Sequence, residues 1–147
     1  MRTLIVYHSE HHMNTEKIAR EMAQVLDADL EKAQSVKAEN ASNYDFFGFG
    51  SGIYHGQFHR ELYDVVKKLH VPQGTKAFIF STTGSKTYAA RAHKSFQPVL
   101  EEKGFTVVGE YTCLGFDTAL SSEGINRGRP NAEDLNEARS FAESLRS

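Results

Sequence analysis

The sequence contains a single cysteine, Cys113, among its 147 residues. One thiol can form neither an internal disulfide nor a cysteine-based zinc motif, which excludes a disulfide scaffold and favours a reducing compartment. Long apolar runs are missing as well. Stretches such as residues 77–80 are far too short to cross a bilayer, and the N-terminus shows no cleavable signal pattern. We therefore expect a cytoplasmic protein without membrane insertion, in which Cys113 is a small buried apolar residue.

Neither sign of charge is in large excess, because 17 Lys and Arg residues oppose 19 Asp and Glu residues, a formal net charge of −2. The basic residues are scattered along the chain, which argues against a nucleic-acid partner, since such proteins usually carry a basic patch. Low-complexity tracts are absent, and a hydrophobic fraction of 39% is that of an ordinary globular protein. We expect one domain that spans residues 1–147 and encloses one core.

Short apolar segments alternate with segments whose apolar residues recur every three or four positions, a pattern typical of strands alternating with helices. Strands are predicted at residues 2–7, 44–49, 76–80 and 105–113, with a weaker strand at 29–33. Helices are predicted at residues 15–26, 61–69 and 88–103 and from Asn131 onward, with Asn14 or Thr15 capping the first. Residues 34–43 fit only a short helix or turn. The alternation predicts an α/β fold, a three-layer doubly wound domain with a five-stranded parallel sheet.

In an open parallel sheet, ligands bind beyond the carboxyl ends of the strands, so the loops that follow strands are the candidate sites. Residues 9–15 open a helix, whose N–H groups and dipole suit a phosphate. Residues 50–56 offer three glycines for close backbone approach and Tyr54 for stacking on a flat ring. Residues 81–85 offer hydroxyls and amides. Together the three loops predict a site for a phosphorylated ligand with a planar ring.

The run YHSEHHMNTEKIA resembles the phosphate loop of the flavodoxin family, FGFGSGIYHGQF its ring-lining loop and STTGS its third loop. CLGFDT and GRPNAEDLNEARSFAESL resemble its C-terminal part, so the motifs span most of the chain in the family's order. The resemblance implies a flavodoxin-like sheet in the order 2-1-3-4-5 and non-covalent flavin mononucleotide (FMN) at its carboxyl edge. Met13 stands where the family usually has glycine, and His11 and His12 replace its Ser or Thr donors. Histidine can still donate to phosphate from a ring nitrogen.

The resemblance and the loop positions together assign sixteen candidate cofactor-binding residues. The first loop contributes Ser9, Glu10, His11, His12, Met13, Asn14 and Thr15. The second contributes Ser51, Gly52, Ile53, Tyr54 and His55, and the third contributes Ser81, Thr82, Thr83 and Gly84. Residues 116–129 form a long glycine-bearing loop, in which Phe116, Asp117 and Thr118 either approach the flavin edge or anchor the loop.

Four histidines fall in two loops that are expected to be neighbours: His11, His12, His55 and His59. Four imidazoles can hold zinc, but no carboxylate or thiol is placed in the sequence to complete or orient such a site. Cys113 follows no phosphate-cradling loop with an arginine, which a cysteine nucleophile would require. We therefore assign neither a metal site nor a catalytic residue.

Three functions fit a domain of this kind to different degrees. A flavin electron carrier with a redox partner protein is favoured, although a net charge of −2 implies weak or localised steering. An FMN-dependent oxidoreductase with a quinone or porphyrinogen-type substrate is the alternative, and the chain has no dinucleotide fingerprint after its first strand. A phosphoacceptor receiver domain would need clustered acids where the chain has His8, Ser9 and Glu10, and is disfavoured.

Overall fold

A computed structural model describes residues 1–10, 13–116 and 124–146 of the chain. Within these residues the strands are β1 Thr3–His8, β2 Asp29–Lys32, β3 Phe46–Tyr54, β4 Gln57–Phe58, β5 Thr75–Thr83 and β6 Phe105–Leu114. The helices are α1 Asn14–Leu26, α2 Arg60–Lys68, α3 Lys86–Glu102 and α4 Ala132–Ser144. No helix among these is both long and apolar enough to cross a membrane.

The sheet has the order β2-β1-β3-β5-β6, and all neighbours along this path are parallel. β4 lies off the path and pairs antiparallel with the end of β3. When this short strand is left out, the order is the predicted 2-1-3-4-5, and the flavodoxin-like three-layer fold is confirmed. The weak strand predicted at 29–33 is present as β2, and two short 3-10 helices, Ala33–Ser35 and Ala38–Asn43, occupy the irregular crossover.

Two of the predicted loops are largely strand. β3 was expected to end at residue 49 but continues to Tyr54, and β5 continues past its expected end at residue 80 to Thr83. Ser51 and Gly52 pair with Ser81 and Thr82 in the parallel ladder. Small and hydroxyl side chains suggested loops, yet their backbone N–H and C=O groups pair like those of any other residue. The ladder therefore includes several of the candidate cofactor-binding residues.

The sheet has an apolar cluster on each face. One lies under α2 and α3 and contains Phe47, Phe49, Leu62 and Phe96, and the other lies under α1 and α4 and contains Phe78 among others. Residues buried on both faces explain why the strand sequences are nearly continuous apolar runs.

Two glycines of β3 lie directly beneath aromatic rings of β5. Gly48 pairs with Phe78 and Gly50 with Phe80 in the ladder. A Cβ atom on Gly48 would stand 2.2 Å from Cζ of Phe78, and one on Gly50 would stand 2.1 Å from Cζ of Phe80. The rings fill the space that side chains on β3 would otherwise need, so these two positions require glycine for packing.

Helix α4 begins at a capping box. The Asn131 side chain accepts from the Asp134 N–H at 2.9 Å, and the Asp134 carboxylate accepts from the Asn131 N–H at 2.8 Å. Arg129 donates two hydrogen bonds to the same carboxylate, at 2.5 and 2.7 Å. The contacts with Arg129 hold the pKa of Asp134 below its ordinary value. The predicted start of the last helix at Asn131 is confirmed, with Asn131 as its cap.

Candidate functional site

The carboxyl ends of β1, β3, β5 and β6 lie along one edge of the sheet. From β1 the chain runs to β2 on one side and then crosses to β3 on the other side of β1. The strand order therefore reverses at β1 and β3. In doubly wound sheets the crevice at such a reversal is where ligands bind. The loops after β1 and β5 and the end of β3, which were singled out in the sequence, converge at this point.

The loop after β1 leads into the N-terminus of α1. Met13 occupies the cap position in the left-handed conformation, with φ 57°, and provides no side-chain cap. The prediction that Asn14 or Thr15 caps the helix is wrong, because α1 begins at Asn14 and the residue before it occupies the cap position. The Ser9 hydroxyl instead accepts from the Glu16 N–H at 3.3 Å. His11 and His12 lie outside the described residues, so their predicted contact with phosphate stays a prediction.

Asn14 and Thr15 connect the first loop to its neighbours. The Asn14 amide Nδ2 donates to the Phe116 carbonyl at 2.9 Å, and the Thr15 and Thr82 hydroxyls are 2.7 Å apart. Oδ1 of Asn14 is buried and has no hydrogen-bond partner among the described residues. Since a buried carbonyl oxygen needs a donor, this atom fits a ligand hydroxyl and not a phosphate oxygen, which is itself an acceptor.

The loop after β5 is held in a tight turn. The Thr83 hydroxyl donates to the Ser85 carbonyl at 2.6 Å and accepts from the Ser85 N–H at 3.0 Å. Asn126 Nδ2 lies 3.2 Å from the Gly84 carbonyl and 3.3 Å from the Gly115 carbonyl, so it joins this loop to the one after β6. The part of the loop 116–129 that the structure describes thus anchors the edge, whereas Asp117 and Thr118 lie outside the described residues.

The second candidate segment, residues 50–56, is a hairpin. His55 and Gly56 form its two-residue turn with φ values of 53° and 75°, the positive pair typical of a tight hairpin turn. His55 is exposed, whereas Tyr54 is half-buried. Burial and the nearby Glu10 carboxylate raise the pKa of Tyr54 well above its ordinary value, so its ring is neutral. Tyr54 is therefore available as an uncharged aromatic face.

Ser51 and Ser81 do not line a loop. Both are fully buried within strands. The Ser51 hydroxyl donates to the Gly52 carbonyl at 2.6 Å and accepts from the His59 N–H at 3.0 Å. The prediction that they sit in open loops is wrong. The assignment of Ser51, Ser81 and the other described candidates to cofactor binding stays a prediction. Beyond the first loop these others are Gly52, Ile53, Tyr54, His55, Thr82, Thr83 and Gly84.

Ser81, His93 and Glu110 form a chain of hydrogen bonds that the sequence did not suggest. The Ser81 hydroxyl lies 2.7 Å from His93 Nε2, and His93 Nδ1 lies 3.0 Å from a Glu110 oxygen. Burial lowers the pKa of His93, and Glu110 opposes this shift. The order of groups is that of a serine hydrolase triad, but a serine with no exposed surface cannot meet a substrate. These hydrogen bonds connect β5, α3 and β6, and their role is structural.

Cys113 is buried, as predicted. Burial is the main cause that raises the pKa of its thiol to about 12. Because the thiolate is the reactive form of cysteine, this thiol is inert at neutral pH.

A second feature that sequence reasoning missed is a group of four residues beside the first loop: His8, Glu10, His59 and Glu61. His8 ends β1, Glu10 follows it by two residues, His59 caps α2, and Glu61 lies in the first turn of α2. Nitrogen and oxygen atoms of His8, Glu10 and His59 all lie within 4.8 Å of one another. The zinc hypothesis had grouped His59 with His55, His11 and His12 and found no carboxylate for them. Glu10 and Glu61 supply that carboxylate for a different pair of histidines.

The parallel register of β1 and β3, which the sequence does not specify, brings this group together. His8 pairs with Ser51 in the parallel ladder, and Ser51 bonds to His59, so the ends of β1 and α2 are neighbours. Burial is the main cause that lowers the pKa of His59, whose Nδ1 accepts from the Glu61 N–H at 3.1 Å. His59 is thus a neutral cap.

These features define a doubly wound α/β domain with a ligand site where its strand order reverses. A family model described as a flavodoxin domain matches residues 4–111. The chain belongs to the flavodoxin domain family. An uncharacterized protein of Methanocaldococcus jannaschii is 40% identical over 148 residues, which cover 99% of this chain and 98% of that protein.

Solved flavodoxin structures share the fold. A flavodoxin from the domain Archaea superimposes with a TM-score of 0.77 at 17% identity, covering 99% of this chain and 96% of its own. Flavodoxin 2 from Bacillus cereus superimposes with a TM-score of 0.73 at 22% identity, covering 97% and 95%. The resemblance seen in the sequence motifs is confirmed at the level of the family and the fold.

Proposed function

We propose that the chain binds FMN non-covalently at the carboxyl edge and carries electrons between redox partner proteins. The observation that carries the proposal is the convergence of three edge segments at the strand reversal. Oδ1 of Asn14, in the first of them, is buried and has no hydrogen-bond partner among the described residues. A ligand that offers a phosphate, hydroxyls and a planar ring in succession matches the three parts of this edge. FMN has that composition.

The first loop would hold the phosphate through the N–H groups at the start of α1, with Ser9, His11 and His12 as further donors. Oδ1 of Asn14 would accept a hydrogen bond from a ribityl hydroxyl, which would satisfy this buried acceptor. Tyr54 and the turn Thr82–Gly84 would line the ring. Bound FMN supplies reversible one- and two-electron transfer, and the protein tunes it through hydrogen bonds and nearby charge.

The side chains of the chain are suited to tuning and shielding, not to acid–base catalysis. Tyr54 stays neutral, Cys113 is an inert thiol, and Ser81 is inaccessible. Glu10 and Glu61 place two carboxylates beside the first loop. Negative charge near a flavin disfavours its anionic reduced form, so these carboxylates would lower the reduction potential of bound FMN.

Titration of the flavin-free protein with FMN, followed by flavin fluorescence and visible absorption, tests the proposal. We expect one FMN per chain, and riboflavin, which lacks the phosphate, should bind at least about 10-fold more weakly. Asn14→Ala should weaken both ligands, whereas Asn136→Ala, a change of the same type at an exposed position of α4, should weaken neither. A protein that is colourless as purified and binds no added FMN would refute the proposal.

The predicted role of His11 and His12 has its own test. The double variant His11→Ala/His12→Ala should lose affinity for FMN and retain its weaker affinity for riboflavin, because only the phosphate contacts are removed. Equal losses for the two ligands would place the two histidines elsewhere on the cofactor or away from it.

An FMN-dependent oxidoreductase is the second candidate, and a groove favours it. The groove has a volume of about 720 Å³, is lined by Tyr54, Phe58, His59 and Tyr63 among others, and is large enough for a small-molecule substrate. Steady-state oxidation of reduced nicotinamide cofactor with a quinone or a porphyrinogen-type substrate separates the two functions. A carrier shows turnover only when a partner reductase is added.

A further inference from the structure

The group His8, Glu10, His59 and Glu61, here called the histidine–glutamate cluster, lies between the end of β1 and the start of α2. The His8 side chain is 12% exposed, whereas the side chains of Glu61 and Glu10 are 28% and 41% exposed. The cluster thus has a buried nitrogen donor on its inner side and a carboxylate at its mouth.

His8 is oriented by Glu61. Nδ1 of His8 lies 2.8 Å from Oε2 of Glu61, so Nδ1 carries the proton and donates it to the carboxylate. A carboxylate that fixes the ring in this way is the usual outer partner of a metal-binding histidine. In the neutral ring the opposite nitrogen, Nε2, then has a lone pair.

No described residue donates to this lone pair. Nε2 of His8 is buried and forms no hydrogen bond with any residue that the structure describes, and the nearest carboxylate oxygen, Oε2 of Glu10, is 3.4 Å away. A cation between Nε2 of the neutral ring and the Glu10 carboxylate would attract both atoms. A tetrahedral ion bound about 2.0–2.1 Å from each atom would separate them by about 3.4 Å. The separation therefore matches that of two ligands of one ion.

His59 is the third donor. Its ring stacks on His8 at a centroid distance of 3.5 Å and an interplanar angle of 9°, and its Nδ1 caps α2 through the Glu61 N–H. Lone pairs of stacked rings run parallel and do not converge. Coordination by His59 therefore requires its ring to turn out of the stack and to release the cap. Metal binding and the cap of α2 compete for this side chain.

The cluster is also accessible. Glu10 and His59 line the groove of about 720 Å³ beside the hairpin, so an ion can enter from solvent and keep water in its remaining coordination positions.

The geometry points to a binding site for a divalent first-row transition ion, held by Nε2 of His8, the Glu10 carboxylate and the His59 ring, with Glu61 orienting His8. Two imidazoles and one carboxylate suit Zn²⁺, Fe²⁺ or Co²⁺ and are a poor set for Ca²⁺ or Mg²⁺. All the donors belong to the protein, so the site does not depend on FMN.

Isothermal titration of the chelator-treated protein with Zn²⁺ tests the site, with Co²⁺ as a second probe whose visible absorption reports four- or six-fold coordination. We expect one ion per chain. His8→Gln should weaken binding by about 100-fold and Glu61→Gln by about 10-fold, because one removes a ligand and the other weakens its support. His70→Gln, at an exposed histidine outside the cluster, should leave the affinity unchanged.

His8 ends a buried strand, so its replacement can also destabilise the fold. Glu10→Gln is therefore a second variant, which removes a ligand at a more exposed position. It should also weaken Zn²⁺ binding by at least about 10-fold. Calcium should produce no heat at the same concentration. The proposal is overturned if the protein takes up no Zn²⁺, or if Glu10→Gln binds Zn²⁺ as tightly as the unaltered chain.

Discussion

Replacement of Gly50 by alanine tests the packing of the sheet directly. A Cβ atom at this position would stand 2.1, 2.2 and 2.5 Å from three ring atoms of Phe80, well inside the range of van der Waals contact. Phe80 itself is fully buried, so its ring has no free space to enter. Either the ring leaves its place in the core or β3 moves away from it.

The cost follows from two opposing effects. Alanine in a strand gains about 0.5–1 kcal/mol over glycine, because glycine loses more backbone entropy on folding. Overpacking of a filled core costs about 1–3 kcal/mol, and a contact with a whole ring near 2 Å belongs at the upper end. We expect a net loss of about 1–2.5 kcal/mol, which corresponds to a fall in Tm of roughly 2–10 °C for a domain of this size.

Urea unfolding followed by circular dichroism measures this loss. Gly109→Ala is the matched control, since a Cβ there approaches only side-chain atoms of Leu145 and Phe141, at 3.2 Å or more. Phe80→Leu frees space, so the variant Gly50→Ala/Phe80→Leu should lose less than the sum of the single changes, by about 1 kcal/mol. A Gly50→Ala protein as stable as the unaltered chain would show that the ring does not fill the space above the glycine.

Three further outcomes are expected. Asn131→Ala should lose about 1 kcal/mol of stability through the lost cap of α4, and Asn131→Ser, which can still cap, should retain most of it in the same urea titration. Asp134 has a lowered pKa in the folded chain, so its stabilising effect is present above the ordinary carboxyl pKa and is lost as pH falls through the folded value. Asp134→Asn should therefore flatten the decline of the unfolding free energy below about pH 4. A fluorophosphonate probe should not label Ser81, despite its contact with His93, and labelling that disappears in Ser81→Ala would contradict the structural role given to this serine.

The apolar runs and the helical periodicity predicted the elements, because burial on both faces of a parallel sheet leaves a strong pattern in the sequence. The ends of β3 and β5 were not predictable in the same way. Ser51 and Thr82 carry small polar side chains typical of loops, and only the partner strand reveals that their backbones complete a ladder.

The location of the site in the fold could be predicted from the sequence, but its side-chain contacts could not. The positions of the loops after strands follow from the order of elements, so the edge containing Asn14 and Thr82 could be named from the sequence. The pairing of His8 with Glu61 could not, since 53 residues separate them and only the parallel register of β1 and β3 brings them together. Long-range side-chain pairs of this kind leave no periodic signal.

The hydrogen bonds among the edge loops affect how the chain would bind its ligand. Thr15 meets Thr82, Asn14 holds Phe116, and Asn126 reaches two carbonyls, all through groups of the protein itself. The described part of the edge is thus preorganised, and little ordering entropy would be lost when a ligand arrives. Ligand association should accordingly be fast, with nearly single-exponential kinetics. Differences in affinity among ligands should arise mainly from their dissociation rate constants.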